Sequence, residues 1–387
     1  MNKSKNNENV KNISVLIPDA EDWLTLKALR CIGQESTFKN HLLSKKKMPL
    51  SRFCRYSTSY HYNTSQNDEE WIDEINKLIS KLHIDVIMPV TVPGVELISK
   101  NRSKISESAR IPPIAEPEKI SLTNDKWAFH NFLLQHDLPS IPTIYVGNSG
   151  ENIDISEVDS IAFPALLKPA SESGGYGIVR VENKNDIERA WHDKHMMKNH
   201  DYILQSFLPA DHYSYSICAR EGEILAYTLY KSLLHSNPYR IGVLQEFKKD
   251  DNILNIGRKL ISDLKWSGIG NIDFLVDKRD KSARILEFNP RFWQSLIGSE
   301  NAGINFPALW CREAMGLKSS YINRDCIFAS PSMYIKTIFD RFKGKRNNTD
   351  IRWKESGFKF TYNDPMPEVV DMFDRIGKKL KRLCVSK

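Results

Sequence analysis

Residues 283–293 run Ala283-Arg284-Ile285-Leu286-Glu287-Phe288-Asn289-Pro290-Arg291-Phe292-Trp293. The first seven read as a β-strand. Asn271 to Asp277 reads as its hairpin partner, with the polar turn Lys278 to Ser282 between them. Side chains alternate across a strand, so Glu287 and Asn289 point to one side, and Asp273 on the partner strand can sit across from them. Two carboxylates and an amide oxygen are hard ligands suited to Mg²⁺, which completes its octahedron with water and substrate phosphates. The plain alternative is a solvated polar edge. Against it, Ile272, Phe274, Ile285, Leu286 and Phe288 make the neighbourhood strongly apolar. Arg291 follows two residues beyond these donors, where a guanidinium could hold a phosphoryl group or a carboxylate in bidentate fashion.

A second polar cluster lies upstream. Ile161 to Pro169 reads as a strand interrupted by Pro164 and carrying Lys168. The loop Ser171 to Gly177 follows, with Ser173, Gly174, Gly175 and Gly177. Glycines let backbone N–H groups approach phosphate oxygens, and a neighbouring lysine can act on the same phosphates as a point charge. Alone, such a loop reads as a flexible hairpin turn. Neither G-x-x-x-x-G-K-[ST] nor G-x-G-x-x-G is present, which excludes a P-loop NTPase and the dinucleotide fingerprint. Lys126 opens a helix, Lys126 to His136, after Ser121 to Asp125; by itself this position carries no function. Tyr202 to Phe207 reads as a strand, and Ser214 to Arg220 with Glu223 to Leu229 as a hairpin.

The N-terminal part has a different rhythm. Ile13 to Ile17 and Asp85 to Val90 read as buried parallel strands, and Trp23 to Ile32 and Glu69 to Leu82 as amphipathic helices. Strands alternating with helices predict a parallel sheet up to about Ile120, closed by Ile111-Pro112-Pro113 and Glu116-Pro117. A basic helix, Glu368 to Leu383, is expected near the other end.

The 387 residues suffice for two or three packed units, and 27% charged residues is ordinary for a soluble protein. The first twelve residues are polar, without an apolar signal-peptide core, and read as a disordered tail. No apolar run is long enough to span a bilayer. Six scattered cysteines without a C-x-x-C pair indicate neither a zinc site nor a disulfide framework, which fits a reducing cytoplasm. The net charge of +7 reads as spread along the chain, with clusters at Lys45-Lys46-Lys47 and around Lys378, Lys379, Lys381 and Arg382. Such clusters are usually solvated faces, so no nucleic-acid partner and no membrane insertion are expected.

Together these residues resemble the ATP-grasp superfamily from about Ser121 to Trp310. The ending E-x-N-P-R-F-W-x-S is closest to a branch of carboxylate–amine ligases, as is the early stretch Leu50 to Tyr56. The resemblance implies an α/β and α+β chain: a Rossmann-like parallel α/β pre-ATP-grasp domain at 13–120, then an ATP-grasp fold at 121–318. The latter comprises a lid subdomain at 121–204 and a metal-binding subdomain at 205–318, with an extension at 319–387. It implies ATP and Mg²⁺ as cofactors, for which Mn²⁺ could substitute. Lys126 and Lys168 would contact phosphates, Ser173, Gly174, Gly175 and Gly177 would close over them, and Gln205-Ser206-Phe207-Leu208 would hold adenine. The family often has Glu where Gln205 stands. His212 is a candidate for the ribose, Asp273, Glu287 and Asn289 for the metal, and Arg291 for the acyl phosphate. Arg240 is a candidate for the acceptor carboxylate. The implied reaction joins a small-molecule carboxylate to an amine through an acyl phosphate, releasing ADP and phosphate, and a homodimer is compatible with it. The competing readings are an ATP-binding regulatory or scaffold protein, and phosphoryl transfer without amide formation.

Overall fold

In the computed structural model, residues 12–149, 151–172, 175–192, 199–235, 242–343 and 351–385 are described. The expected tail, apart from Asn12, lies outside them. The chain divides into two compact units. Residues 1–114, 294–322 and 334–387 form one, and residues 115–293 with 323–333 the other.

The first unit holds the expected parallel sheet, in the order β3-β2-β1-β4: β1 (Ile13–Ile17), β2 (Phe38–Ser44), β3 (Ser57–Tyr62) and β4 (Val86–Ile87). Val15, Leu16 and Ile17 are wholly buried, as a strand covered on both faces requires. The helix Trp23–Ile32 starts where Asp22 accepts a hydrogen bond from the Leu24 N–H. The helix Asp68–Leu82 buries Trp71, Ile72, Ile75, Leu78 and Ile79, and its acidic first turn suits the positive end of the helix dipole. Strand pairing in the stretch 85–90 is confined to Val86–Ile87, because Pro89 has no N–H to give.

Residues 294–318 cluster with this first unit. The reason is packing. The short helices Leu296–Asn301 and Phe306–Ala314 lie against Trp23–Ile32. Asn305 donates to the Cys31 carbonyl at 2.7 Å, and Trp310 to the Pro113 carbonyl at 2.8 Å. The segment around Asp364 is fastened to the same unit by the buried Arg30. Its guanidinium meets Asp364 at 3.0 Å and both carboxylate oxygens of Glu368 at 2.8 and 2.6 Å.

The second unit contains two antiparallel sheets. The smaller, in the order β5-β8-β6-β7, comprises β5 (Thr143–Asn148), β6 (Ala165–Pro169), β7 (Val179–Val181) and β8 (Asp201–Ser206). Leu167, Trp191, Tyr202 and Leu204 pack in its core. The larger has six strands in the order β13-β12-β9-β10-β11-β14: β9 (Ala210–Arg220), β10 (Glu223–His235), β11 (Gly242–Phe247), β12 (Gly268–Asp277), β13 (Ala283–Asn289) and β14 (Cys326–Ala329). Both expected hairpins, β9–β10 and β12–β13, are present.

The β12–β13 hairpin is oriented by its apolar side. Phe288 is buried, with its ring 4.6 Å from Trp266 and 6.3 Å from Phe129, centroid to centroid. The ring lies over Gly270, where an added Cβ would come within 2.5 Å of it. With Phe288 committed to this core, Glu287 and Asn289 must face the opposite way. Phe288→Ala is therefore expected to destabilise the protein by about 3–5 kcal/mol. A urea unfolding midpoint close to that of the wild type would contradict this packing account.

Candidate active site

The register of three strands builds the polar face. Asp273 on β12 stands directly opposite Glu287 on β13 and Ser214 on β9. One row away, Asn271 stands opposite Asn289 and Ser216. Residues directly opposite one another share a face, so six polar side chains form two parallel rows. Ile272 and Phe274, between them on β12, are wholly buried on the other face.

Hydrogen bonds lock the rows. The Ser214 hydroxyl lies 2.5 Å from Asp273 Oδ1, and Asn271 Nδ2 donates to the same oxygen at 3.1 Å. Asn271 Oδ1 is met by the Ser214 and Ser216 hydroxyls at 3.0 and 2.8 Å. Asn289 Nδ2 donates to Glu287 Oε1 at 3.0 Å. Arg291 Nη2 donates to Asn289 Oδ1 at 3.0 Å, and Nη1 to the Phe292 carbonyl at 2.7 Å. An amide oxygen has two lone pairs, so Asn289 keeps acceptor capacity.

Two ammonium groups complete the electrostatics. Burial depresses the Lys168 pKa to about 7, with repulsion from Lys126 adding to the effect and Glu287 opposing it. Lys168 Nζ donates to Gln205 Oε1 at 2.8 Å, and Gln205 Nε2 donates to Thr143 Oγ1 at 2.9 Å. Burial also lowers Lys126, against the attraction of Glu287, Asp125 and Glu172. Lys126 opens its helix behind the Asp125 cap, and its Nζ reaches the Ala170 and Glu172 carbonyls at the entrance of the glycine loop.

The two carboxylates respond oppositely. Burial and the facing Glu287 charge push Asp273 up to about 8. Burial pushes Glu287 up as well, but Lys126, the Asn289 amide, Lys168 and Arg291 together outweigh it and hold Glu287 below its ordinary value. One member of the pair thus keeps a proton because like charges this close cannot both ionise cheaply. His212 Nε2 is 3.8 Å from Asp273 Oδ1, and burial together with His235 depresses the His212 pKa to about 4, so the imidazole is neutral.

The donor set fits a hard divalent cation: two carboxylate oxygens, an amide oxygen, and a mutual repulsion that a cation would relieve. Among the described residues, no group of three His, Cys, Asp or Glu side chains is placed to hold a metal ion. The third donor of this set is an amide.

The remaining expected positions divide. Gly175 and Gly177 have φ of +78° and +71°, in the left-handed region that favours glycine. Ser173, Gly174 and Arg240 lie outside the described residues. In the expected adenine hinge, the Ser206 N–H donates to the Pro142 carbonyl at 3.0 Å, and the Phe207 N–H to the Pro164 carbonyl at 2.9 Å. Leu208 follows at the end of β8.

Residues 123–295 match the family of the ATP-grasp domain. The chain carries an ATP-grasp domain. The carbamoyl phosphate synthase large chain of Methanothermobacter thermautotrophicus is 24% identical over 264 residues, which is 62% of this chain and 25% of that one. The N5-carboxyaminoimidazole synthetase of Staphylococcus aureus aligns with a TM-score of 0.63 at 13% identity, over 86% of both chains. The L-amino acid ligase of Bacillus licheniformis aligns with a TM-score of 0.58 at 13% identity, over 79% of this chain and 74% of that one. At these identities the structural likeness bears on the fold. Matches cover 17–35% of the length of three curated relatives, the carbamoyl phosphate synthase among them.

Within the ATP-grasp domain, sequence reasoning missed Asn271, Ser214 and Ser216. The signal was available in outline: Asn271 and Asp273, and Ser214 and Ser216, each alternate as one face of a strand must. Only the register shows that the two pairs meet.

Because folding raises the Asp273 pKa, the folded chain holds that proton more tightly than the unfolded one. Stability is lost as pH rises from 3.8, the ordinary value, to about 8, and no further above it. In the metal-free protein, Asp273→Asn removes this loss. Its unfolding free energy is expected to gain on that of the wild type between pH 5 and 8, by at most about 1.4 kcal/mol per pH unit, seen as a melting temperature that pulls ahead. A constant offset across that range, measured by circular dichroism in chelator, would refute the shift.

Proposed function

We propose that this chain is an ATP-dependent carboxylate–amine ligase that forms an amide through an acyl phosphate. One observation carries the reading. Glu287 lies in the field of Lys126, Lys168 and Arg291 at once while facing Asp273 across the hairpin. A site that only held a nucleotide has no need of a half-buried carboxylate pair set against three cations. The fold shared with an L-amino acid ligase supports the same reading.

The chemistry follows from charge. A substrate carboxylate oxygen attacks the γ-phosphorus of ATP, the bond to ADP breaks, and the amine then attacks the activated carbonyl carbon. A C–N bond forms, phosphate leaves, and the amine gives up a proton. The first step brings two anions together, so catalysis is chiefly positioning and neutralisation. Asp273, Glu287 and Asn289 are the donors that would hold Mg²⁺, which supplies charge neutralisation at the phosphates when bound.

Lys168 is poised for the same task. An arriving polyphosphate raises its depressed pKa again, so the ammonium regains its charge where it is used. Lys126 reaches the loop carbonyls in this structure and can exchange them for phosphate oxygens. Arg291, steadied by Asn289, presents the guanidinium for the acyl phosphate. Gly175 and Gly177 give the loop the backbone freedom to cover the phosphates and exclude water from a hydrolysable intermediate. The Gln205 side chain is spent on Lys168 and Thr143, so adenine recognition at the hinge falls to the backbone, the Leu208 amide in particular.

The reading predicts amine-dependent release of ADP when the protein is mixed with Mg-ATP and pooled carboxylates and amines. ADP release indifferent to amines would point to phosphoryl transfer alone. Nucleotide binding without turnover across broad pools would point to a scaffold. Lys168→Met should weaken ATP binding by about tenfold to a hundredfold, the worth of a charge-assisted hydrogen bond. Glu287→Gln should lower turnover by at least about a hundredfold while the protein stays folded. Calorimetric titration and coupled ADP assays measure the two effects.

A further inference from the structure

The charge of this chain is not spread, as the sequence reading had it, but segregated. Residues 334–387 contain fourteen Lys and Arg against seven Asp and Glu. That excess of seven equals the formal charge of the whole chain, so the preceding 333 residues carry 41 of each sign and are neutral.

The same segment exposes large apolar side chains in helical register. On the helix Met366–Val385, Val369, Met372, Phe373 and Ile376 are 36%, 51%, 64% and 48% exposed, spaced three or four residues apart along one stripe. The spacing continues in the sequence at Leu380 and Leu383. The polar positions of this helix hold Arg375 and Lys378, paired with Asp371 at 2.8 Å and Asp374 at 2.5 Å, and Lys379, while Lys381 and Arg382 follow in its sequence. On the helix Pro331–Phe342, Ile335, Phe339 and Phe342 repeat the pattern at 38%, 60% and 85% exposure. Trp353 and Tyr362, stacked edge to face, are 44% and 67% exposed between these helices in sequence.

We infer that this C-terminal segment docks on an anionic lipid surface. A stripe of Phe, Ile, Val and Met beside a charged face, on a segment with seven more basic than acidic residues, is the composition that lies in a membrane interface, with Trp and Tyr at headgroup level. Charge selects the occupant. A second copy would bring an equally basic surface against this one, whereas anionic headgroups neutralise it while the acyl boundary covers the apolar stripe. Among the described residues no helix is long and apolar enough to cross a membrane, so the contact is interfacial. The Arg30 clamp on Asp364 and Glu368 holds the start of the Met366–Val385 helix and leaves the stripe uncovered.

The test is co-sedimentation of the full chain with vesicles of phosphatidylcholine alone and with about 30% phosphatidylserine. Partitioning is expected on the anionic vesicles and about tenfold weaker on neutral ones, falling again in about 0.5 M salt. Phe373→Ser with Ile376→Ser, and separately Lys378→Glu with Lys379→Glu, should each cut partitioning about tenfold with far-UV circular dichroism and melting temperature unchanged. Absence of vesicle binding overturns the inference. So does binding that neither variant weakens, or a dimer in sedimentation equilibrium that Phe373→Ser dissociates while vesicles capture nothing. If Phe373→Ser with Ile376→Ser fails to fold, the exposed lysine pair decides alone.

Discussion

The constraint on which the ATP-grasp domain turns is that two half-buried carboxylates, Asp273 and Glu287, stand directly opposite on neighbouring strands. Nothing in folding favours this arrangement. Burial penalises both charges, and each raises the cost of the other. What holds the pair is a register that cannot slip. Moving β13 by one residue would turn Phe288 out of its contact with Trp266 and Phe129 and drive Glu287 into the core. The apolar face of the hairpin therefore offsets the cost of the polar one. The residual imbalance appears as the proton held by Asp273 and the charge half lost from Lys168.

The supporting residues share a logic. Asn271 occupies the row beside Asp273 and spends both ends of its amide, one on the carboxylate and one on the Ser214 and Ser216 hydroxyls. Asn289 does the same between Glu287 and Arg291. Each carboxylate is thus oriented by an amide two residues away on its own strand, a spacing set by the pleat. Such neutral donors fix direction without cancelling charge, which preserves the negative potential a cation requires. The positive groups come from other elements, the start of the helix at Lys126 and the strand at Lys168.

How much of this could be read in the sequence depended on periodicity. The runs Ile13–Ile17 and Trp23–Ile32 and the β12–β13 hairpin were legible because apolar residues recur at the spacing of one element and glycine, proline or polar turns bound them. β3, Ser57–Tyr62, carries no apolar alternation. As an edge strand it is half-exposed along its length and its sequence looks like a loop. β14, Cys326–Ala329, is only four residues long and is a strand because β11 offers it an edge. Residues 294–318 looked continuous with the catalytic segment because chain order is all a sequence gives. Their assignment rests on contacts with Trp23–Ile32, far away in number. At the site, carboxylates in alternation were visible one strand at a time. Asn271, Ser214 and Ser216 were not, because a polar residue on a strand has meaning only beside its cross-strand neighbours.

Two kinds of electrostatics therefore operate in one chain, at different ranges. In the ATP-grasp domain, opposite charges are partly or wholly withdrawn from solvent and close enough to shift one another's pKa, so salt reaches them poorly. In the C-terminal segment, basic groups outnumber acidic ones by seven although some of them are paired, and the effect of the excess is collective and sensitive to ionic strength. A body without net charge has no monopole field to compete with that of the segment. An anionic surface would thus act on the C-terminal segment, which the buried Arg30 ties to the rest of the first unit through Asp364 and Glu368. Concentrating the excess charge in one segment, instead of distributing it, is what gives that attraction a direction.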